Sequence, residues 1–361
     1  MSRVPEPETA GLTVALEPAP HPLAHRFAVL ASTEEGWCGG DSAYAVDLAG
    51  GNERLWLFSD TLLAGSHMVN NCIVVEDIAQ GRLRTVLGGT PDEPAALVAP
   101  NEKVGPDGLT RWLWTGHGVA VDDPALPADQ HRLWIFYQEY RATVPDELKA
   151  EWDFAWVRTI LVELSLPDLR VLSRTPLGDG TGVQWGAAVH RDGNELLVYG
   201  VADEGEHKHL LLATTSALRP GETWRYRTAG GMWSTTPTDA ARLLTGVSNE
   251  VSVLPLPGLD DAGWLLVTSD TRLPHGSWPI VAYRAPHPAG PWTGPQLILE
   301  PPENSTGCYA YNPTFLRLDG ASFLLVYNVN GSLADVLNDE TIYRPRFRLV
   351  RLTARPLDVD G

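Results

Sequence analysis

The chain is poor in cysteine, in positive charge and in long apolar runs. Cys38, Cys72 and Cys308 form no CxxC pair and cannot all pair with one another, which argues against a disulfide framework. No Cys/His cluster has zinc spacing. No segment approaches the ~18 apolar residues of a membrane span. The first residues, MSRVPEPETAGLTVALEP, lack the apolar core and small-residue cleavage site of a secretory signal. Buried free thiols in a cytoplasmic protein are therefore expected. Lys and Arg number 27 against 45 Asp and Glu, for a formal net charge of −18. Such a chain repels nucleic-acid phosphates and anionic membrane surfaces, so neither is an expected partner. The GxSxG elbow, HExxH and the Walker loop are also absent, which removes three familiar catalytic platforms.

What remains points to strands. The hydrophobic share is 43%, with 34 Gly, 29 Pro and 13 Trp, and the apolar runs are short and rich in Val, Leu, Trp, Tyr and Phe. Long helical patterns are scarce, so an all-β fold is expected. Five segments repeat one plan, a polar-headed strand, a turn and a very apolar strand. They begin at Gly39, Gly116, Gln184, Asn249 and Tyr311. Equivalent positions in the second strand, Trp56, Trp134, Leu197, Leu265 and Leu324, recur at intervals of 59 to 78 residues. That period suits propeller blades of about four strands, whereas a two-sheet sandwich predicts strands every 8–12 residues or so without it. The expectation is a five-bladed β-propeller with an axial polar pocket. With no clean linker, residues 27–361 are taken as one domain and 1–26 as an N-terminal extension. FAVLAS, Phe27 to Ser32, is expected as a strand that closes the ring.

In a propeller the start of each innermost strand meets the end of the next strand on one face. Here those positions are polar: Asp41, His117, Gln184, Glu250 and Asn312 at the starts, Asp60, Glu139, Asp203, Asp270 and Asn328 or Asn330 at the ends. The turn Gly50–Asn52 should fold Asp60 back beside Asp41, and opposed strand residues have Cβ atoms ~4.5–5.5 Å apart. Two carboxyls that close raise one another's proton affinity, as a glycosidase requires of its acid and its base or nucleophile. Asp60 in FSDT and Asp270 in TSDT could equally cap turns. Glu250, with Asn249 at a strand head, is the candidate third acid. His117 lies between glycines and is either a hydrogen-bonded frame residue or a contact to substrate or an axial metal. Gln184 and Trp185 suit hydroxyl bonding and ring stacking, and Trp37 before GGD shares the choice between pocket and core. Asn70 and Asn71 fit sugar contacts or a turn. The ring of Asp, Glu and Asn offers oxygen ligands for an axial Ca²⁺, though no EF-hand-like loop is present, and no other cofactor is expected.

The segments GWCGGDSAYAVDL and LWLFSDT near the start, and YNPTF, LLVYNVN and YRPRFRLV near the end, resemble the propeller domains of bacterial endo-D-arabinan-degrading glycosidases and their propeller relatives. The resemblance spans about Gly36 to Leu352. It implies a five-bladed propeller whose first blade carries two catalytic aspartates, at the positions of Asp41 and Asp60. The expected activity is that of a glycoside hydrolase or transglycosidase on a furanoside or related sugar, with a small-molecule or carbohydrate substrate as partner. An intracellular propeller lyase or cyclase of small-molecule biosynthesis is the alternative, and a non-catalytic carbohydrate-binding propeller the third.

Overall fold

A computed structural model describes residues 11–33, 36–65, 67–148, 150, 152–177, 180–205, 207–256 and 263–354. Residues 257–262 in the fourth repeat and the ends of the chain, 1–10 and 355–361, lie outside them. The fold is mostly β. Five antiparallel sheets of four or more strands follow one another along the chain, each containing the apolar strand of one expected repeat, while Trp37–Gly40, Thr61–Leu63 and His67–Val69 form a further three-stranded sheet and Gly88–Gly89 and Pro94–Ala95 a two-stranded one. The first sheet contains Tyr44–Asp47, Glu53–Phe58, Cys72–Asp77 and Arg82–Val86. The second runs from Arg111 to Leu177, the third from Val183 to Ser234 with Leu244–Thr245 added, and the fourth from Ser252 to Leu299. The fifth joins Tyr309–Asp319, Ser322–Asn330 and Arg346–Ala354 to Leu12–Pro20 from the other end of the chain.

The very apolar second strands have a simple cause. Side chains along a strand alternate between its faces, and here both faces are covered. Leu55 and Leu57 pack with the second sheet's Leu133 and Ile135, while Trp56 and Phe58 pack with the fifth sheet's Leu324 and Phe347. Further apolar clusters lie between the second and third sheets, the third and fourth and the fourth and fifth. The sheets thus pack face to face in chain order, and the last returns to the first. Each fully buried Leu or Phe contributes roughly 1.5–3 kcal/mol.

Residues Phe27 to Leu30 belong to a helix, α1 (Pro22–Leu30), not to the closing strand expected there. His21 caps it, its Nδ1 accepting from the Leu23 amide, and Pro22 starts it with a pre-set φ. Leu23, Phe27 and Leu30 recur at helical spacing and are buried in the seam between the fifth and first sheets. The Phe27 ring lies 5.0 Å from Trp37 and 5.2 Å from Phe347. The strand that completes the fifth sheet is instead Leu12–Pro20, paired antiparallel with Arg346–Ala354, inside the stretch expected to be an extension. No helix among the described residues is long and apolar enough to cross a membrane.

Candidate active site

The innermost strands are broken where their polar heads stand. Register shifts fall between Thr115 and Gly118, Trp185 and Ala188, and Tyr311 and Thr314. Such bulges re-aim side chains. In the first sheet the break is sharper: Ser42 and Ala43 hold φ of 66° and 52°, a conformation that costs a non-glycine residue of order 1–3 kcal/mol. The buried Ser42 and Ser59 hydroxyls bond each other at 2.8 Å and help to fix it. This break turns Asp41 inward.

Asp41 and Asp60 are neighbours across the strands, as the turn at Gly50–Asn52 implies. The Asp41 amide donates to the Asp60 carbonyl at 3.1 Å, and the Ser59 amide to the Asp41 carbonyl at 3.0 Å. Their side chains have different company. Asp41 Oδ2 accepts from the Tyr311 and Tyr343 hydroxyls, each at 2.8 Å. Asp60 Oδ1 accepts from the Trp114 indole at 2.7 Å and from Asn70 Nδ2 at 2.9 Å. Burial, and then the charge of Asp60, hold the Asp41 carboxyl well above the usual carboxylate range against the two tyrosine bonds, and Glu250 adds a smaller push. Gly39 makes the Tyr343 contact feasible, because a Cβ there would meet the Tyr343 carbonyl oxygen at 2.9 Å.

Glu250 stands beside a narrow cavity of about 30 Å³, walled also by Tyr44, Trp114, Gln138, Tyr140, Gln184 and Asn249. Burial raises its carboxyl to about 7, although the Lys208 ammonium pulls the other way. Lys208 pairs with Asp203 at 2.9 Å and donates to Asn249 Oδ1. Asn249 Nδ2 in turn donates to Gln184 Oε1 and Asp203 Oδ2, both at 3.1 Å. Trp114 joins the two centres, since its indole holds Asp60 while its ring lies in this cavity wall, 4.5 Å from Tyr140. A larger hollow of about 1100 Å³ lies outside, between α1 and Arg82–Val86, and no carboxyl side chain is among its described lining.

The structure therefore brings Asp41, Asp60, Glu250, Gln184 and Asn249 into one polar region. Other candidates lie elsewhere. Trp37 is 0% exposed under α1, and Trp185 packs on Trp224 and Tyr226. The His117 ring stacks on Tyr44 at 5.1 Å, its Nδ1 accepts from the Val189 amide at 2.8 Å, and burial lowers its pKa to about 4. It spans neighbouring sheets as part of the frame. Asp270 is held by the Arg272 guanidinium at 2.7 Å. Asn312, buried with φ of 50°, sits in the fifth sheet's bulge. Asn71 is spent on Val98 and Leu113 backbone, unlike Asn70. Arg344 donates to the Cys38 carbonyl and pairs with Glu340. Among the described residues no group of three or more His, Cys, Asp or Glu is placed to hold a metal ion.

Tyr311, Tyr343, Trp114 and Lys208 are missing from the sequence-derived site. The two tyrosines do open the YNPTF and YRPRF segments, and Lys208 is one of three lysines in a chain whose other basic residues are arginine.

No curated protein matches the sequence. Among solved structures, the GH43_1 enzyme from Xanthomonas citri, complexed with xylose, is 13% identical, with a TM-score of 0.51 covering 90% of this chain and 92% of that one. A xylan β-1,4-xylosidase from Bacillus halodurans C-125 is 10% identical, with a TM-score of 0.51 covering 88% of this chain and 53% of its own. The likeness is one of β-propeller fold alone. A family model matches residues 25–352, and the chain belongs to that family, described as a domain of unknown function, DUF5005.

Proposed function

We propose that the chain is a five-bladed propeller glycoside hydrolase, acting on a furanoside or related pentose sugar with Asp41 and Asp60 as its catalytic pair and Glu250 as a third acid. The observation that carries this reading is the convergence of three carboxyls from two sheets, two of them shifted so that they hold protons near neutral pH. Structural carboxylates gain nothing from such shifts, while a general acid needs one. The five sheets packed in a cycle are the blades, and their strand heads form the axial pocket. The resemblance to arabinan-degrading propellers and the fold shared with pentose-acting enzymes favour a pentose.

The environments separate the roles. Asp41, kept protonated by burial and by its neighbour's charge, donates a proton to the glycosidic oxygen as the C1–O bond breaks. Asp60, whose anionic form accepts two N–H donors, either draws a proton from the attacking water or bonds C1 itself. Carboxyl separations near 5–5.5 Å lead to retention and about 6.5–9.5 Å to inversion. The Gln184 amide nitrogen supplies a hydrogen bond to a sugar hydroxyl, while Asn249 holds Gln184 Oε1 in place.

A panel of aryl glycosides that includes D- and L-arabinofuranosides and β-D-xylopyranosides tests this. Release of the aryl group from a pentoside is the expected result, with NMR of the first-formed anomer giving the stereochemistry. No hydrolysis across the panel would contradict the reading and turn attention to lyase or cyclase chemistry.

A further inference from the structure

Each of the two aspartates is the root of an aromatic wall. On one side Tyr311, the donor to Asp41, is followed by Tyr309 at 5.6 Å between ring centroids. His275 comes next, 4.8 Å from Tyr309, with Trp278 edge-on to it at 4.8 Å. On the other side Trp114, the donor to Asp60, is followed by Phe154 at 5.0 Å and then Trp152 at 6.0 Å. The first wall comes from the fifth sheet and from the fourth sheet's loop between Gly263–Ser269 and Ile280–Ala285. The second comes from the second sheet and the loop before Phe154–Ser165. These sheets are not neighbours in the cycle, yet the walls meet where Trp152 and His275 stand edge to face, 6.2 Å apart at 79°. The result is an arch of rings, unbroken from the donor of one acid to the donor of the other.

Folding does not account for the top of this arch. Trp152 is 61% exposed, and on the same two loops Leu148 is 71% and Leu273 47% exposed. Indole left in water forgoes the burial that normally rewards so large a side chain, and Trp152 stands exposed at the point where the two ring series meet. The chemistry of the contact is narrow. A pyranose or furanose offers a face of C–H groups rimmed by hydroxyls, which suits an aromatic face with hydrogen-bonding groups at its edge. Burial and the nearby Lys208 charge favour neutral His275, so the arch suits an uncharged ring.

We infer that the arch headed by Trp152 and His275 is a subsite for a second, uncharged sugar ring of the substrate, the ring that departs when the bond above Asp41 is cut. The inference rests on the glycoside reading above and adds the length of the substrate to it: an oligosaccharide rather than a lone pentoside. The continuity of both walls with the acids is what assigns the patch to substrate.

The test is calorimetric titration of the Asp41→Asn protein, which holds ligand without turning it over. The probes are arabino- and xylo-oligosaccharides of two to four residues, beside arabinose and xylose. The oligosaccharides of at least one series should bind more tightly than their monosaccharide. Adding Trp152→Ala should weaken them roughly tenfold, the worth of a stacking contact, while monosaccharide affinity and Tm stay unchanged. Oligosaccharide affinity that ignores Trp152, or no oligosaccharide binding at all, would overturn the inference. Aryl-glycoside hydrolysis by the unmodified protein judges the glycoside reading separately. Its success alongside a Trp152-independent titration would remove the subsite and leave the activity.

Discussion

Burying a carboxyl group away from water is costly unless the group is paired or neutral, and Glu250 takes the second course. Its carboxyl rises from 4.5 to about 7 on folding. Between those values the unfolded chain gives up the proton and the folded one keeps it, so stability falls as pH rises, by about 3 kcal/mol in all. Glu250→Gln removes that dependence. Thermal melts of the two proteins should diverge in favour of the variant from about pH 4.5 to 7 and run parallel above. Lys208 acts on the same group from the other direction. Lys208→Met deletes the nearby ammonium, so the Glu250 proton should be released at higher pH, while Lys208→Arg should hold it; a carboxyl NMR titration reads the difference. Lysine only donates and aspartate only accepts, so Lys208 and Asp203 together fix the orientation of the Asn249 amide. That leaves the Gln184 amide nitrogen as the donor not spent on Asn249. The pair Asp41 and Asp60 was legible because a short turn places them side by side. Tyr311 and Tyr343 were not, because 270 and 302 residues separate them from Asp41. His117 shows the converse: glycines on both sides signal close approach, but the approach is to the backbone carbonyls of Phe136, Gly186 and Trp134, and the imidazole itself is taken by the Val189 amide.

Among the elements, the second strands were the most legible, since burial on both faces leaves an apolar run that polar turns bracket. The stretch at Phe27 misled for the same reason. Four residues of FAVL fit either period, and the helical one emerges only when Leu23 is included with the cap at His21. The bulges of the innermost strands carry only a faint composition signal, Gly116, Gly186 and the pair Asn312 and Pro313 inside otherwise ordinary strands. Where the chain runs tightest the consequence is testable. A methyl group on Gly39 would press on the Tyr343 carbonyl, which also accepts from the Gly40 amide at 2.9 Å. Gly39→Ala should cost about 1–3 kcal/mol, read by denaturant unfolding, and should lower turnover by pulling Tyr343 from Asp41. An unchanged midpoint would show that the loop has room to move.

At the scale of the whole molecule, the repeat announced five sheets and their order, but not what ties the last to the first. That tie is the pairing of Leu12–Pro20 with Arg346–Ala354, with Leu12 only 1% exposed. The strand was hidden because it stands apart from the repeats, at the far end of the chain from its partner. Deleting residues 1–20 should leave Arg346–Ala354 as an open edge. Lower Tm and increased light scattering on heating are the expected outcomes. The cycle also bears on the site, for it brings Asp41 and Asp60 of the first repeat into one region with Gln184 of the third and Asn249 and Glu250 of the fourth, where carboxyls from separate repeats act on one another. The account stands on what that interaction does. Its most direct test is the rate of pentoside hydrolysis by the unmodified protein, Asp41→Asn and Asp60→Asn, each checked for an unchanged Tm. A loss of about 10²–10⁴-fold in each variant is predicted, and full activity in either one would contradict the assignment.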